Sequence, residues 1–285
     1  MEDVGFVNPA KIVAIVLIVS MMLHTGLQVN LAHLKTVLRD FGLLGRAFLA
    51  NFIIVPLLGV LFVRVVFHPS EPIATGILLM AICPGVPFVV LSGGRRKGGS
   101  LGFAVSLAFL LPALSIITVP FTARLVLPGS PISANSVILS LVLFQLVPLL
   151  IGMLVSVRAP EAAKRLQRPL LIVVLAAILA ILVVLGGPIA RAIGTVYGSL
   201  GMLAMACIVL LSLVTGWVLG GRERAYRRTL SVGTALRNVG LAALLATSVF
   251  GRGEVAAAVL TYLIIQIILA SLLGVFYSRT KSEVM

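Results

Sequence analysis

Charged residues are scarce in this chain. Only 11% of its 285 residues are Asp, Glu, Lys or Arg, whereas 60% are hydrophobic. Typical soluble domains carry about 25% charged residues. The composition therefore excludes an ordinary soluble domain and predicts an integral membrane protein.

Acidic residues are rarer still. All eight lie in predicted termini or loops: Glu2, Asp3, Asp40, Glu71, Glu161, Glu223, Glu254 and Glu283. No predicted membrane span contains a carboxylate, and neither an H-E-x-x-H nor a G-x-S-x-G motif occurs. We therefore expect no enzymatic activity, no catalytic residues, no cofactor and no metal centre.

Cysteine is also rare. The two cysteines, Cys83 and Cys207, both fall inside predicted spans. This placement excludes a disulfide framework, and we expect both side chains to act as small packing residues.

Apolar stretches, in contrast, recur along the whole chain. Each is long enough for the roughly 20 helical residues that cross a bilayer. They predict an all-α polytopic protein with a single transmembrane domain over residues 1–285 and nine spans. The predicted spans are residues 12–29, 43–66, 73–91, 101–125, 136–157, 170–185, 196–219, 229–250 and 255–277.

The basic residues predict the orientation of these spans. Cytoplasmic loops carry an excess of Lys and Arg, and here every second loop is basic. The basic loops hold Lys35 and Arg39; Arg95, Arg96 and Lys97; Arg158, Lys164, Arg165 and Arg168; and Arg222, Arg224, Arg227 and Arg228. We expect a protein of the cytoplasmic membrane with its N-terminus outside and its C-terminus in the cytoplasm. The net charge of +14 then reflects topology and contact with the lipid bilayer, and we expect no nucleic-acid partner.

Two predicted spans, the third and the eighth, carry helix breakers near their centres. The third contains "ICPGVP", with Pro84 and Gly85, and the eighth contains "GTALRNVG", with Thr234, Arg237 and Asn238. Irregular backbone survives at membrane depth only where protein buries it or water reaches it. Five spans separate the two positions, and this odd offset inverts the second copy relative to the first. The pattern is typical of inverted-repeat transporters, whose paired broken helices meet near the midplane.

Arg237 is a permanent cation within an apolar run. A central Arg costs about 2.5 to 3.5 kcal/mol even on insertion scales, so protein oxygens or an anion must satisfy it. One hypothesis is that Arg237 only joins helices by binding carbonyls freed at the breaks, or side-chain oxygens of Asn51 or Gln145. The other is that Arg237 holds an anionic substrate, in which case Arg237→Gln abolishes anion binding and leaves the fold intact. Both remain open at this stage.

Three further polar residues lie within predicted spans: His24, Gln145 and Gln266. Histidine titrates near neutral pH and could carry a proton, and the two amides could line a polar path. A bonded neutral histidine and amides that only join helices are the alternative interpretation.

These residues resemble the bile acid:sodium symporter family. The resemblance lies in "CPG" at 83–85, "RNVGLA" at 237–242 and the polar Asn51 in "FLANFIIVP". It implies nine or ten helices with two broken helices crossing at the transport site. It also implies a core of helices two to four and seven to nine, about residues 43–125 and 196–277. Helices one, five and six, about 12–29 and 136–185, would form a panel against which the core moves.

The chain departs from the family's sodium-coupled pattern at both breaks. On the second broken helix that pattern has a glutamate and, after three residues, glutamine and asparagine, where this chain has Gly233, Arg237 and Asn238. After "CPG" the pattern has small residues, then serine and asparagine, where this chain has Val86, Pro87, Phe88, Val89 and Val90. Apolar side chains cannot coordinate a hard cation. We therefore expect no sodium binding at these two sites.

The sequence thus predicts a secondary transporter that moves a small or amphipathic organic anion by alternating access. Its expected substrate-binding residues are Arg237, Asn238, Thr234, Asn51, Pro84 and Gly85, and its candidate proton or polar path is His24, Gln145 and Gln266. Two alternatives remain. One is a transport-inactive membrane sensor or scaffold that keeps the fold, and the other is a sodium-coupled symporter that uses backbone ligands.

Overall fold

A computed structural model describes residues 9–85, 99–127, 133–184, 186–187, 200–250 and 253–282, with side chains described as far as residue 272. Within these residues the fold is all helical and contains no strand. We number the helices α1 Pro9–Gly26, α2 Leu31–Arg39, α3 Phe41–Phe67, α4 Glu71–Ile82, α5 Leu101–Val126, α6 Ala134–Arg158, α7 Pro160–Val184, α8 Gly201–Leu219, α9 Arg224–Ala235, α10 Val239–Leu245 and α11 Gly253–Ser282.

In the described part of the chain, eight helical stretches are long and apolar enough to cross a membrane. They are α1, α3, α5, α6, α7, α8, the broken pair α9 and α10, and the first part of α11. These confirm eight membrane-spanning stretches of the predicted set. In the third predicted span, 73–91, the described helix α4 has 12 residues. The remainder of that span, from residue 86 onward, lies outside the described residues.

Two predicted helix starts are wrong, and one predicted loop contains a helix. Helix α7 begins at Pro160 rather than near residue 170, because Pro is well accommodated in a first turn, where its missing N–H has no partner to lose. The basic loop after the first span contains the helix α2, whose first turn is capped by the Asn30 side chain. The eighth span begins at Arg224 rather than near residue 229, whereas its break, between Ala235 and Val239, lies near the centre as predicted.

Glycines allow two pairs of helices to touch backbone to backbone. A Cβ on Gly26 or Gly152 would overlap main-chain atoms of the other helix, so α1 and α6 touch backbone to backbone. A Cβ on Gly216 would overlap the main chain of Leu230 and Ser231, which joins α8 to α9. The Gly216-x-x-x-Gly220 spacing therefore marks a real helix contact.

The basic segments that the structure describes lie at one end of the bundle. Near the end of α1, the Val29 carbonyl accepts a bond from Ser156 Oγ on α6. At the start of α5, Gly102 lies against the His33 ring of α2. Just before it, the Ser100 N–H donates to Thr229 Oγ1 on α9 at 2.9 Å. These contacts bring the segments around Lys35, Arg158 and Arg224 together, as the alternation of basic loops predicts.

Candidate functional site

The two helix breaks meet inside the bundle. The chain leaves helical geometry at Cys83, after α4, and at Leu236, after α9. At the crossing the Asn238 N–H donates to the Cys83 carbonyl at 3.1 Å. The Asn238 side chain then starts the next half-helix, because its Oδ1 accepts from the Leu241 N–H at 3.1 Å.

Pro84 and Gly85 explain why α4 ends here. Proline has no N–H, so the Met80 carbonyl has no α-helical donor at position 84 and accepts, from the main chain, only the Cys83 N–H, at 3.3 Å. The α-helical donor of the Ala81 carbonyl would be the N–H of Gly85, which lies beyond the end of the helix. Gly85 has a φ of +75°, a conformation that only glycine adopts easily. A Cβ on Gly85 would also lie 2.6 Å from the Leu111 Cβ. The "CPG" sequence thus leaves unpaired carbonyls at the end of a half-helix inside the protein.

Arg237 takes up those carbonyls. Its side chain is completely buried. Nε donates to the Met80 carbonyl at 3.1 Å, and Nη2 donates to the Ala81 carbonyl. On the other side, Nη1 donates to Asn51 Oδ1 at 3.0 Å and Nη2 to the Asn51 carbonyl at 3.2 Å. Four of the five guanidinium N–H groups therefore have protein acceptors.

The Asn51 carbonyl is free because of a proline five residues later. Residues Leu49–Ile54 form a π-helical stretch, in which the Val55 N–H donates to the Ala50 carbonyl. At the same five-residue spacing the partner of Asn51 would be Pro56, which has no N–H. A π-helical stretch before a proline thus presents one main-chain oxygen to Arg237.

The electrostatics of the crossing rest on dipoles rather than on an ion pair. Within the described residues no carboxylate lies within ion-pair distance of the Arg237 guanidinium. Its oxygen partners include two carbonyls in the last turn of α4, where the helix dipole is negative. The crossing therefore has a buried positive charge stabilised by four neutral oxygens.

A chain of polar side chains continues from the crossing to α6 and α5. Asn238 Nδ2 donates to Gln145 Oε1 at 3.3 Å. Gln145 Nε2 donates to the Pro112 carbonyl and to Ser115 Oγ, both at 2.8 Å. On α3, Asn51 Nδ2 donates to Thr234 Oγ1 at 3.4 Å. The network thus links four helical segments around the breaks.

Gln266 on α11 joins the same network through the main chain of Arg237. Its Oε1 accepts from the Arg237 N–H at 2.9 Å, and its Nε2 donates to the Arg237 carbonyl at 3.4 Å. His24 is placed elsewhere, near the end of α1, where Gln28 Nε2 lies 2.8 Å from Nδ1. The structure therefore brings together all the predicted site residues except His24.

Two residues at this site were not predicted from the sequence. Ser115 lies three residues after Pro112 in α5, and this Pro-x-x-Ser spacing in an apolar helix is the signal that could have identified it. Tyr262 on α11 is completely buried. Its hydroxyl has no hydrogen-bond partner among the described residues.

The oxygens at the crossing are of the type that a hard cation prefers, but they face the guanidinium. Among the residues that the structure describes, no three His, Cys, Asp or Glu side chains are grouped in a way that could hold a metal ion. The oxygens that could attract a cation at the crossing are the main-chain carbonyls of Met80 and Ala81 and the side-chain amide of Asn51, and all of them accept hydrogen bonds from Arg237.

Comparison with known proteins gives the family of this chain. A probable sodium/metabolite cotransporter, BASS2, chloroplastic, of Oryza sativa subsp. japonica is 28% identical over 152 residues, which cover 51% of this chain and 35% of the relative. The BASS3 protein of the same organism, also described as a probable chloroplastic sodium/metabolite cotransporter, is 25% identical over 259 residues, or 86% of this chain and 59% of the relative. The chain therefore spans less than two thirds of the length of these relatives.

A family model also matches a continuous part of the chain. The model described as "Sodium Bile acid symporter family" matches residues 14–196. This range includes the first helix break, with Pro84 and Gly85, and ends before the second break at Arg237. The matched residues extend from α1 through α7 and make up more than half of the chain, which therefore belongs to the sodium bile acid symporter family.

Proposed function

We propose that this protein is a secondary membrane carrier that moves an organic anion by alternating access, with Arg237 as a tethered cation at its helix crossing. The observation that carries the proposal is the position of this guanidinium. It lies where two broken helices cross and occupies four oxygens that could otherwise attract a cation. Membership of a symporter family supports the transport function.

The carrier architecture that we propose has nine spans, an inverted repeat and two moving parts. The panel would be α1, α6 and α7, within about residues 12–29 and 136–185. The core would be α3 to α5 and α8 to α11, within about 43–125 and 196–277. The backbone contact between Gly26 and Gly152 supports the grouping of α1 with α6. The crossing bond from Asn238 to Cys83 supports the grouping of the two broken helices in one core.

We further propose that the basic end of the bundle faces the cytoplasm, so that the N-terminus lies outside and the C-terminus inside a cytoplasmic membrane. The support is the gathering of the segments around Lys35, Arg158 and Arg224 at one end. Such a gathering follows the rule that cytoplasmic loops hold the excess of Lys and Arg.

For Arg237 the structural role is the better supported of the two hypotheses. Four hydrogen bonds to protein and complete burial leave its guanidinium one N–H for any other partner. Its charge would still raise the local potential and favour an anion beside Asn238 and Thr234. In this account Arg237 holds the broken helices together and attracts substrate through space.

The proposed carrier does not bind sodium at the two sites where the family's sodium-coupled pattern places it. A bound sodium ion needs several oxygen ligands at close range. Around the crossing, the carbonyls of Met80, Ala81 and Asn51 already accept bonds from Arg237. A guanidinium in that place also repels a second cation. We therefore propose that the carrier functions without sodium at these sites.

Counterflow across liposomes tests the carrier function. The purified protein is reconstituted, and vesicles loaded with unlabelled taurocholate or unlabelled lactate are diluted into the labelled anion, with sodium or with potassium as the only cation. We expect a transient accumulation of at least one anion, equal in sodium and potassium. Accumulation only in sodium would favour the symporter that uses backbone ligands.

Two further outcomes would overturn the carrier. Counterflow of neither anion, combined with saturable binding of one, would indicate the sensor or scaffold alternative. Counterflow of neither anion and binding of neither would also remove organic anions of these two sizes from consideration. Protein-free liposomes are the control for leakage, since the sulfonate of taurocholate stays ionised and crosses lipid poorly.

A further inference from the structure

A polar cleft lies at the basic end of the bundle, beside the connector that joins α1 to α2. The connector, residues 27–30, forms one wall together with the first turn of α2, and the end of α6 and the first two turns of α7 form the rest. The volume of this connector cleft is about 380 Å³, within the range of about 300 to 1,000 Å³ typical of small-molecule sites. It lies at the end of the proposed panel helices rather than at the helix crossing.

Hydrogen bonds to the main chain hold the walls of the connector cleft together. Ser156 Oγ on α6 donates to the Val29 carbonyl at 2.9 Å. Gln167 Nε2 on α7 donates to the Leu27 carbonyl at 3.0 Å. The cleft is therefore formed before a ligand binds, which lowers the cost of ordering it on binding.

Polar groups that take no part in these wall contacts also line the cleft. Asn30 caps α2 through its Oδ1, which accepts from the Ala32 N–H at 2.9 Å, so its Nδ2 group is a donor that the cap does not use. Gln167 binds the connector through Nε2, and its Oε1 is an acceptor. The exposed Lys164 lies one turn before Gln167 on the same wall. A cation, an amide donor and an amide acceptor together suit a phosphate that carries a hydroxylated group.

Lys164 already has one anionic partner. Its Nζ lies 2.7 Å from Glu161 Oε1, but the two side chains are 70% and 76% exposed. An exposed ion pair contributes little to stability, so the ammonium can turn toward a second anion at small cost. An ammonium also has three N–H donors, of which Glu161 occupies one.

The charge around the cleft is strongly positive. The two segments that contain its walls, residues 27–35 and 156–168, hold one acidic residue, Glu161, and five basic ones: Lys35, Arg158, Lys164, Arg165 and Arg168. Lys and Arg clustered beside a membrane-spanning helix attract anionic lipids.

Apolar side chains at the rim favour a lipid over a soluble anion. Leu31 and Val157 line the cleft and are 38% and 47% exposed. Leu38, two turns along α2 from Leu31, is also exposed. Exposed apolar side chains beside basic residues are typical of the bilayer interface, where acyl chains and head groups meet. A soluble phosphate would make no use of them.

We propose that the connector cleft binds the head group of an anionic phospholipid from the leaflet at the basic end of the bundle. The phosphate lies beside Lys164 and Asn30, a hydroxyl of the head group donates to Gln167, and the acyl chains leave past Leu31 and Val157. The lipid fastens the connector, which leads from α1 of the proposed panel through α2 to α3 of the proposed core. The inference does not depend on which solute the protein moves, so it stands or fails apart from the proposed carrier function.

The first test compares ligands that share parts of this chemistry. Binding of radiolabelled dioctanoyl-phosphatidylglycerol to the delipidated protein in detergent is measured at equilibrium. Three unlabelled competitors are the same lipid, dioctanoyl-phosphatidylcholine, which has the same chains and a zwitterionic head group, and glycerol 3-phosphate, which has no chains. We expect saturable binding. Phosphatidylcholine should compete about fivefold more weakly, the contribution of one basic residue at a bilayer surface, and glycerol 3-phosphate should not compete at the same concentration.

Variants at the mouth test the site itself. Lys164→Gln should lower the affinity for phosphatidylglycerol about two- to fivefold, the range of an exposed ion pair. Arg165→Gln removes a charge from the next residue, which is outside the cleft lining, and should change the affinity less. Glu161→Gln removes the carboxylate that competes for the Lys164 ammonium and should raise the affinity.

The second test locates the lipid. Cys207→Ala removes the partly exposed cysteine, while Cys83 is buried and can stay. In that background Ala32→Cys places a thiol in the cleft lining, and Ala162→Cys places a matched thiol at an exposed position of α7 outside it. We expect a water-soluble methanethiosulfonate to label both thiols. Dioctanoyl-phosphatidylglycerol should slow only the labelling of Ala32→Cys, in a saturable way.

Several results would overturn the lipid site. One is the absence of saturable phosphatidylglycerol binding to the wild-type protein. Equal competition by phosphatidylcholine, or equal losses in Lys164→Gln and Arg165→Gln, would indicate lipid attracted without a defined site. Competition by glycerol 3-phosphate at the same concentration would indicate a site for a soluble phosphate instead. Unchanged labelling of Ala32→Cys in the presence of the lipid would place the lipid elsewhere on the protein.

Discussion

Arg237→Met is the substitution whose effect on stability follows most directly from the structure. Methionine keeps most of the volume of the side chain but has no donor. The carbonyls of Ala81 and Asn51 would lose the partner that the helix geometry denies them, and Asn51 Oδ1 would lose its donor as well. Each buried unsatisfied acceptor costs about 1 to 3 kcal/mol, so the three together cost roughly 6 kcal/mol.

Part of that loss is recovered because the charge is no longer buried. An Arg at the centre of a membrane costs about 3 kcal/mol on insertion scales. The difference leaves a net destabilisation of about 3 kcal/mol, which corresponds to a melting temperature lower by about 6 to 12 °C for a protein of this size. Thermal unfolding in detergent measures this shift, followed in a Cys207→Ala background by the fluorescence of a thiol-reactive dye that reaches the buried Cys83 only on unfolding.

Two variants make the measurement specific. Arg64→Met is the matched control, since the exposed Arg64 also donates to a carbonyl, that of Val126, near the end of α5. It should change the free energy of unfolding by about 1 kcal/mol or less. Arg237→Lys keeps the charge and three donors, and we expect an intermediate loss. If Arg237→Met unfolds at the wild-type temperature, the reasoning about freed carbonyls is wrong.

Three further predictions concern the surroundings of the crossing. Tyr262→Phe should leave stability unchanged or raise the melting temperature, because the buried hydroxyl has no partner among the described residues; a fall of several degrees would contradict this. Gly216→Ala should destabilise by about 1 to 3 kcal/mol, because its Cβ would overlap the Leu230 carbonyl; an unchanged melting curve would show that α8 and α9 can separate freely. Pro56→Ala supplies an N–H that competes with Arg237 for the Asn51 carbonyl. A double-mutant cycle with Arg237→Met should therefore show a coupling free energy of about 0.5 kcal/mol or more. Additive effects would refute the role of Pro56 in leaving the Asn51 carbonyl to Arg237.

The length of the apolar stretches and the placement of the charges made most of the fold predictable. Apolar length alone located the spans, because a bilayer imposes about 20 residues on each helix. Helix ends were harder, as α7 shows. Its first residues, from Pro160, are polar and basic, so they read as a loop, yet proline starts a helix well and Gln167 anchors this segment by donating to the Leu27 carbonyl.

The sequence predicted which residues form the candidate site better than it predicted their hydrogen-bond partners. Breakers in two spans and a charge without a carboxylate pointed to the crossing. The sequence could not say which oxygens Arg237 would meet, because these depend on how α3, α4 and α9 pack. The π-helical stretch before Pro56 and the pairing of Gln145 with Asn238 are tertiary features with weak local signals.

The central claim is that Arg237 takes the place of a bound cation, and one measurement tests it most directly. Thermal stability of the purified wild-type protein and of Arg237→Gln is titrated with sodium against potassium at equal ionic strength, since a ligand that binds only the folded state stabilises it. We predict no sodium-specific change in the wild-type protein. In Arg237→Gln we predict a lower melting temperature that sodium partly restores, because the emptied oxygens of Met80, Ala81 and Asn51 can then bind it. A saturable, sodium-specific rise in the wild-type protein would contradict the account.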